Sequence, residues 1–365
     1  MKLSEVDENL KIETNLKKDD IRFYDVLKPP FTLYGVIPPE KSGEIFYRIP
    51  PEVAETVNKG VAAMNRCTAG GRVRFKTNSS YVAIRLDIPS ELDLLDHGPH
   101  MAFTCAAGMD LYETIDGKER YVLTFIPPLN FKEYYESIIE FPDAKERELT
   151  INMPLYGGFT RFLIGVEEGA KIEKGREYTH SLPVVYYGSS VTQGGCASRP
   201  GNSYQSIISR RLDCNYINLG FSGWARGEQT MADYISKLPM SVFVFDYDHN
   251  APTAEHLAAT HQAFFKTVRA ANPELPIIFA SKPHAESLTA YRSAEDVEAR
   301  FQIIKRTYDE AVASGDKNVY LIDGRDMVKD IPDCWSVDIS HPTDIGFYAM
   351  AKAFGDVLEK IFEEN

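Results

Sequence analysis

Residues 184–195 read VVYYGSSVTQGG. The β-branched and aromatic run predicts a buried strand, and the strand must end at Gly188. Two serines follow, then a short polar turn and the pair Gly194-Gly195. A strand that stops at a glycine and hands a serine to the start of a helix can hold a nucleophile at the rim of a parallel sheet. The strand fixes the serine backbone, the turn exposes its Oγ, and the first helical N–H groups face a developing negative charge. Ser190 is the candidate nucleophile. Ordinary strand-to-helix turns are also rich in small residues, so its partners must be sought elsewhere.

The same alternation continues to the C-terminus. Apolar strands are predicted over 182–187, 216–221, 241–247, 275–281 and 319–323. Amphipathic helices fall between them. One begins at a Thr253 cap and runs to about residue 271, with Leu257, Phe264, Phe265 and Val268 on one face. A second spans about 294–313, and the last follows Pro342-Thr343. Five strands alternating with helices predict a flavodoxin-like, doubly wound five-stranded parallel sheet over 176–365. Ligands bind at the carboxyl ends of such strands.

Before about residue 175 the period is two. Val73 and Phe75 alternate with Arg72, Arg74 and Lys76; after Asn78-Ser79-Ser80, Val82, Ile84 and Leu86 alternate with Ala83, Arg85 and Asp87. This predicts a hairpin with one buried face. Further strands are predicted over 100–105, 110–114, 120–125, 148–153 and 161–166, with Asp116-Gly117 as a hairpin turn. Many short strands predict an all-β sandwich of jelly-roll type over 1–175.

Ser190 needs a base. Asp338-Ile339-Ser340-His341-Pro342 precedes the final helix. An imidazole can take the serine proton, and an aspartate three residues earlier can orient that imidazole. His341 and Asp338 complete a candidate triad. Acyl transfer also needs oxyanion donors. Gly223, after the second strand, allows close backbone approach, and Asn250, after the third, offers a side-chain N–H. Asp248 and His249 lie beside Asn250 and stay open as alternatives. Trp224 and Trp335 flank these motifs, and flat aromatic faces there suit sugar rings.

Gly188-Ser189-Ser190 with Thr192 and Gly194, then Gly223, Asn250 and the Asp338–His341 block follow the order of the SGNH (GDSL-like) hydrolases. About the C-terminal half resembles that superfamily. The resemblance implies Ser190 as nucleophile, His341 as base and Asp338 as its orienter. It implies an oxyanion hole of the Ser190 N–H, the Gly223 N–H and the Asn250 side chain. Two departures stand out: Ser189 occupies the usual aspartate position, and residues 246–250 replace the usual glycine-x-Asn-Asp block. Gly108-Met109-Asp110-Leu111-Tyr112 resembles the GxDLY signature of β-domains that precede some SGNH domains. The two-part plan is similar to that of bacterial carbohydrate O-acetylesterases, mannan deacetylases among them. Asp110 and Tyr112 are then expected to wall the substrate site.

The formal charge of −13 disfavours nucleic acid and anionic membrane as partners. An acetylated oligosaccharide is the expected substrate partner, with a homodimer possible. The five scattered cysteines form no CxxC pair, which predicts reduced thiols. No phosphate loop, dinucleotide fingerprint or metal-ligand spacing is present, so the expected chemistry uses no cofactor and no metal. Residues 1–13 hold no apolar leader segment, which places the expected site of action in the cytoplasm. A lipase or thioesterase on the same fold, and a non-catalytic carbohydrate-binding protein, are the competing readings.

Overall fold

Two antiparallel sheets open the chain, as seen in a computed structural model that describes residues 16–41, 43–89, 98–129, 131–285 and 293–364. The leader reading at residues 1–13 lies outside the described residues. The first ten strands are β1 (Ile21–Asp25), β2 (Thr32–Tyr34), β3 (Arg72–Thr77), β4 (Tyr81–Asp87), β5 (Met109–Ile115), β6 (Lys118–Phe125), β7 (Tyr134–Glu140), β8 (Arg147–Asn152), β9 (Arg161–Glu167) and β10 (Ile172–Lys174). One sheet has the order β1-β9-β4-β7. The other has the order β10-β3-β8-β5-β6, with β2 also on β3. Their inner faces share one core, which includes Val73, Phe75, Val82, Ile84, Leu86, Leu111, Ile151 and Ile164.

The expected hairpin between β3 and β4 does not form. β3 pairs with β8 and β2, while β4 pairs with β7 and β9, so the chain crosses from one sheet to the other at residues 78–80. Period-two patterning states which side chains point inward, and here both inward sets meet across the sandwich. It does not state which strand is the hydrogen-bonding neighbour. Residues 100–105 also depart from the prediction: a one-turn helix, Phe103–Ala106, replaces the expected strand. The Asp116-Gly117 turn forms between β5 and β6, both residues at positive φ, as a primed turn requires.

The second half matches its predicted class. β11 (His180–Gly188), β12 (Cys214–Gly220), β13 (Val242–Asp246), β14 (Ile277–Ala280) and β15 (Val319–Ile322) form a parallel sheet with the order β12-β11-β13-β14-β15. Taken within this half, that order is 2-1-3-4-5, the flavodoxin-like arrangement. Alternate residues feed opposite layers. Val185, Tyr187, Phe243 and Phe245 pack with Leu257, Phe264 and Val268 of the helix Ala254–Ala271. Val184, Tyr186, Val242 and Val244 pack with Phe347, Met350 and Phe354 of the helix Asp344–Glu364. The Thr253 cap is present and accepts from the His256 N–H at 3.2 Å.

β12 is the edge strand on the side that faces the β-rich half. Arg72, which the hairpin reading placed on a solvent face, is buried there. It donates to Tyr178 Oη at 3.0 Å, Asn215 Oδ1 at 2.7 Å and the Tyr216 carbonyl at 3.1 Å. No helix among the described residues is long and apolar enough to cross a membrane. All five cysteines are free thiols.

Candidate active site

Glycine makes the strand-to-helix turn possible. A Cβ on Gly188 would lie 2.0 Å from Thr192 Oγ1 and 2.1 Å from the Asp246 carbonyl oxygen. With no side chain there, the chain turns directly from β11 into the short helix Ser190–Gln193. Ser189 caps that helix by accepting from the Val191 N–H at 3.1 Å. Ser190 stands at its first position, where backbone N–H groups lack intrahelical acceptors.

Ser190 Oγ lies 2.9 Å from His341 Nε2. His341 Nδ1 lies 2.7 Å from Asp338 Oδ2. Because Asp338 accepts at Nδ1–H, the network assigns the tautomer in which Nε2 is free to accept the serine proton. Asp338 Oδ1 accepts from the His341 and Ser340 N–H groups at 2.7 and 3.1 Å. Burial pulls the Asp338 carboxyl up, but the hydrogen bonds from the His341 ring and backbone outweigh it and hold the group below the usual carboxylate value. The loop is braced by Val337 N–H to the His341 carbonyl (2.9 Å) and Thr343 N–H to the Trp335 carbonyl (2.8 Å).

Gly223 has φ +74°, and a Cβ built on it would meet nothing within 4 Å. The loop that carries it is fixed on three sides. Phe221 N–H donates to the Gly188 carbonyl at 2.9 Å. Ser222 N–H donates to Gln193 Oε1 at 3.0 Å. Asn250 Nδ2 donates to the Phe221 carbonyl at 3.0 Å. Asn250, one of the three residues left open, is thereby joined to the Gly223 loop. Asp248 instead accepts from the Lys282 N–H at 3.3 Å, and its carbonyl accepts from Arg300 at 2.8 Å.

Asp246 ends β13 fully buried, with Oδ2 near Thr192 Oγ1 (3.3 Å) and Tyr204 Oη (3.4 Å). Burial, with the nearby Asp248 charge, raises its carboxyl well above the ordinary value.

Three of the four residues expected to bind substrate, Asp110, Tyr112 and Trp335, are buried. Asp110 is 0% exposed. It accepts from Asn152 Nδ2 at 2.8 Å, from Arg199 Nη1 at 2.7 Å and from the Gly201 N–H at 2.8 Å. Tyr112 is buried and its hydroxyl accepts from Arg199. A buried carboxylate needs several donors, and β5 supplies Asp110 to the 200-loop of the other half to obtain them. Trp335 is 1% exposed, in the core under the C-terminal helix. Trp224 is half-buried, packed on Gly60 with the Arg226 guanidinium 4.4 Å from its ring centre. Trp335 therefore offers no open aromatic face.

Several residues at the site carried no sequence signal. Tyr156 Oη donates to the Ser190 carbonyl at 3.1 Å, and Gln193 Nε2 donates to the Leu155 carbonyl at 3.1 Å. The His100 ring is 5.1 Å from that of His341. Ligand atoms of His100, Cys196 and His341 lie within 4.8 Å of one another, a nitrogen–thiol set suited to a soft divalent ion at the expense of His341's present bonds. Cys196 is at φ +77°, and burial, with the Asp338 charge, pushes its thiol up to about 12.

A family model described as the GDSL-like lipase/acylhydrolase family matches residues 181–359, and one described as the N-terminus of esterase SGNH-hydrolase-type proteins matches residues 21–172. Residues 181–359 belong to the GDSL-like lipase/acylhydrolase family. A GDSL-like lipase structure from Bacteroides ovatus ATCC 8483 is 26% identical, with TM-score 0.83 over 94% of this chain and 98% of that one. A salicylyl-acyltransferase from a tetracycline biosynthetic pathway is 18% identical, with TM-score 0.73 over 93% and 96%. An acetyl xylan esterase from the rumen bacterium Butyrivibrio proteoclasticus is 11% identical, with TM-score 0.57 over 94% and 99%. No curated protein sequence matches. As a GDSL-like hydrolase, the chain shares the whole two-part fold with these structures.

Proposed function

We propose that this GDSL-like ester hydrolase removes O-acetyl groups from carbohydrates, with acetylated plant-derived oligosaccharides such as mannan in that class. The observation that carries the reading is the unbroken hydrogen-bonded path from Ser190 Oγ through His341 to Asp338. Ser190 Oγ bonds to the acetyl carbonyl carbon while its proton passes to His341 Nε2. The carbonyl oxygen becomes an oxyanion, met by the Ser190 and Gly223 N–H groups and the Asn250 amide. As the carbonyl re-forms, the carbon–oxygen bond to the sugar breaks and His341 returns the proton to the departing hydroxyl. Water repeats the sequence on the acetyl-serine and releases acetate.

The Gly223 loop is uncrowded, since a Cβ there would meet nothing within 4 Å. The fold is also that of the acetyl xylan esterase, which makes it compatible with sugar esters. Acetate release from acetylated xylo- and manno-oligosaccharides, beside p-nitrophenyl esters of rising chain length, tests the reading. Faster hydrolysis of long-chain esters would assign a lipase instead. Failure of a fluorophosphonate to label Ser190 would leave only a binding protein. Transfer of the acyl group to an added alcohol in preference to water would make the protein an acyltransferase.

A further inference from the structure

β12 is an edge strand, and the carbonyls of Tyr216, Asn218 and Gly220 fall two residues apart along it. Carbonyls on an open edge need donors from outside the sheet. Two arginines of the β-rich half supply them. Arg72 takes the Tyr216 carbonyl at 3.1 Å. Arg48 takes the Asn218 carbonyl at 3.3 Å and the Gly220 carbonyl through the same Nη1, and the Met64 carbonyl through Nη2 at 2.6 Å.

The Arg48 guanidinium is unusual in its charge balance. Its residue is 2% exposed. Among the described residues no carboxylate pairs with it, and its buried Nε–H finds no acceptor. Burial pushes its pKa down to about 10, which still leaves it cationic at neutral pH. A buried cation without a counter-ion is costly, and packing alone does not require one. Its location supplies a reason. Gly220 ends β12 and is three residues before Gly223. The guanidinium also lies 4.5 Å from the centre of the Phe221 ring, within the same loop.

We propose that Arg48 is a positioning residue for the oxyanion site, holding the 220–223 segment so that the Gly223 N–H is aimed and placing an uncompensated positive charge behind it. The inference rests on the ester-hydrolase reading. The β-rich half is then part of the catalytic apparatus through Arg48, and Arg72 is its purely structural counterpart on the same edge.

Arg48→Met, Arg48→Lys and Arg72→Met are compared with wild type on p-nitrophenyl acetate, with melting temperature alongside. Arg48→Met should lower kcat roughly 10- to 100-fold with KM almost unchanged, because the aimed donor binds an oxyanion absent from the ground state. Arg48→Lys keeps the charge but cannot span the three carbonyls, and should recover part of kcat. Arg72→Met should lower the melting temperature and leave kcat near wild type. The rate of fluorophosphonate labelling of Ser190 should fall in Arg48→Met in parallel with kcat. A wild-type protein that takes no label refutes the hydrolase reading itself. A labelled wild type with Arg48→Met labelled equally fast refutes the role of Arg48. Equal kcat losses in Arg48→Met and Arg72→Met, a change confined to KM, or failure of both Arg48 variants to fold would each overturn it and assign Arg48 to domain packing.

Discussion

Two short segments with similar vocabularies meet opposite fates. Residues 338–341 and residues 108–112 each combine an aspartate with a ring-bearing residue two or three positions later. In the first, Asp338 and His341 are partly exposed and directed to Ser190. In the second, Asp110 and Tyr112 are buried and occupied by Arg199, Gly201 and Asn152. Residue types and spacing are alike; solvent access separates chemistry from architecture. The first segment precedes the C-terminal helix and reaches Ser190 at the carboxyl end of β11. The second lies in β5, between its neighbour strands and the loop of the other half.

Substitutions can break that contrast. Ser190→Ala and His341→Ala should each reduce esterase kcat/KM by about 10³-fold or more, because either loss disables the whole relay. Melting temperature should change little, and retained activity in Ser190→Ala would move the nucleophile to Ser189. Asp338→Asn should cost about 10²- to 10⁴-fold, since an amide cannot accept from Nδ1 and from two backbone N–H groups as this carboxylate does. A loss under tenfold would show that another acceptor orients His341.

Gly223→Ala should reduce kcat about 100-fold with little effect on KM, from a strained φ and a displaced donor. An effect on KM alone would remove Gly223 from the oxyanion site.

Asp110→Ala tests the other side of the contrast. It strips Arg199 and the Gly201 N–H of their acceptor and should destabilise the fold by roughly 3 kcal/mol, read by urea denaturation. Below the melting transition, activity on p-nitrophenyl acetate and on an acetylated oligosaccharide should fall in equal proportion. A selective loss on the oligosaccharide would return Asp110 to the substrate site.

The smallest effect expected is in the acid limb of the pH profile. The Asp338 carboxyl is held below its ordinary value, so its folded-state contribution is present above the unfolded carboxylate range. That contribution is lost only as pH falls through the lowered value. The Asp338 carboxylate should therefore stay ionised, and keep orienting its partner, down through the ordinary aspartate value. An ionisation of Asp338 above that value, followed by carboxylate NMR shifts, would contradict its hydrogen bonding.

The five strands and the three long helices of the second half were legible because each declares itself by its own period. So were Ser190 and the Asp338–His341 pair, since a glycine-terminated strand and a three-residue spacing are local facts. Gly108 shows the limit of local reading. A Cβ there would lie 2.5 Å from the Thr104 carbonyl oxygen, so the glycine that opens the motif makes room for a neighbouring helix turn. Trp335 shows it again, an aromatic beside a catalytic motif but wholly inside the core.

What the sequence determined by itself is therefore the class of each half, the order of the apolar segments, and the two ends of the serine–histidine–aspartate relay. Only the tertiary structure decided that β3 and β4 belong to different sheets, that Asp110 and Tyr112 serve the junction, and that Arg48, Tyr156 and His100 stand at the site. The physical reason is range. Periodicity and short spacings are set by backbone geometry within a few residues. The contact between Arg48 and the Gly220 carbonyl joins positions 172 residues apart and exists only because two packed halves bring an open sheet edge to a buried cation.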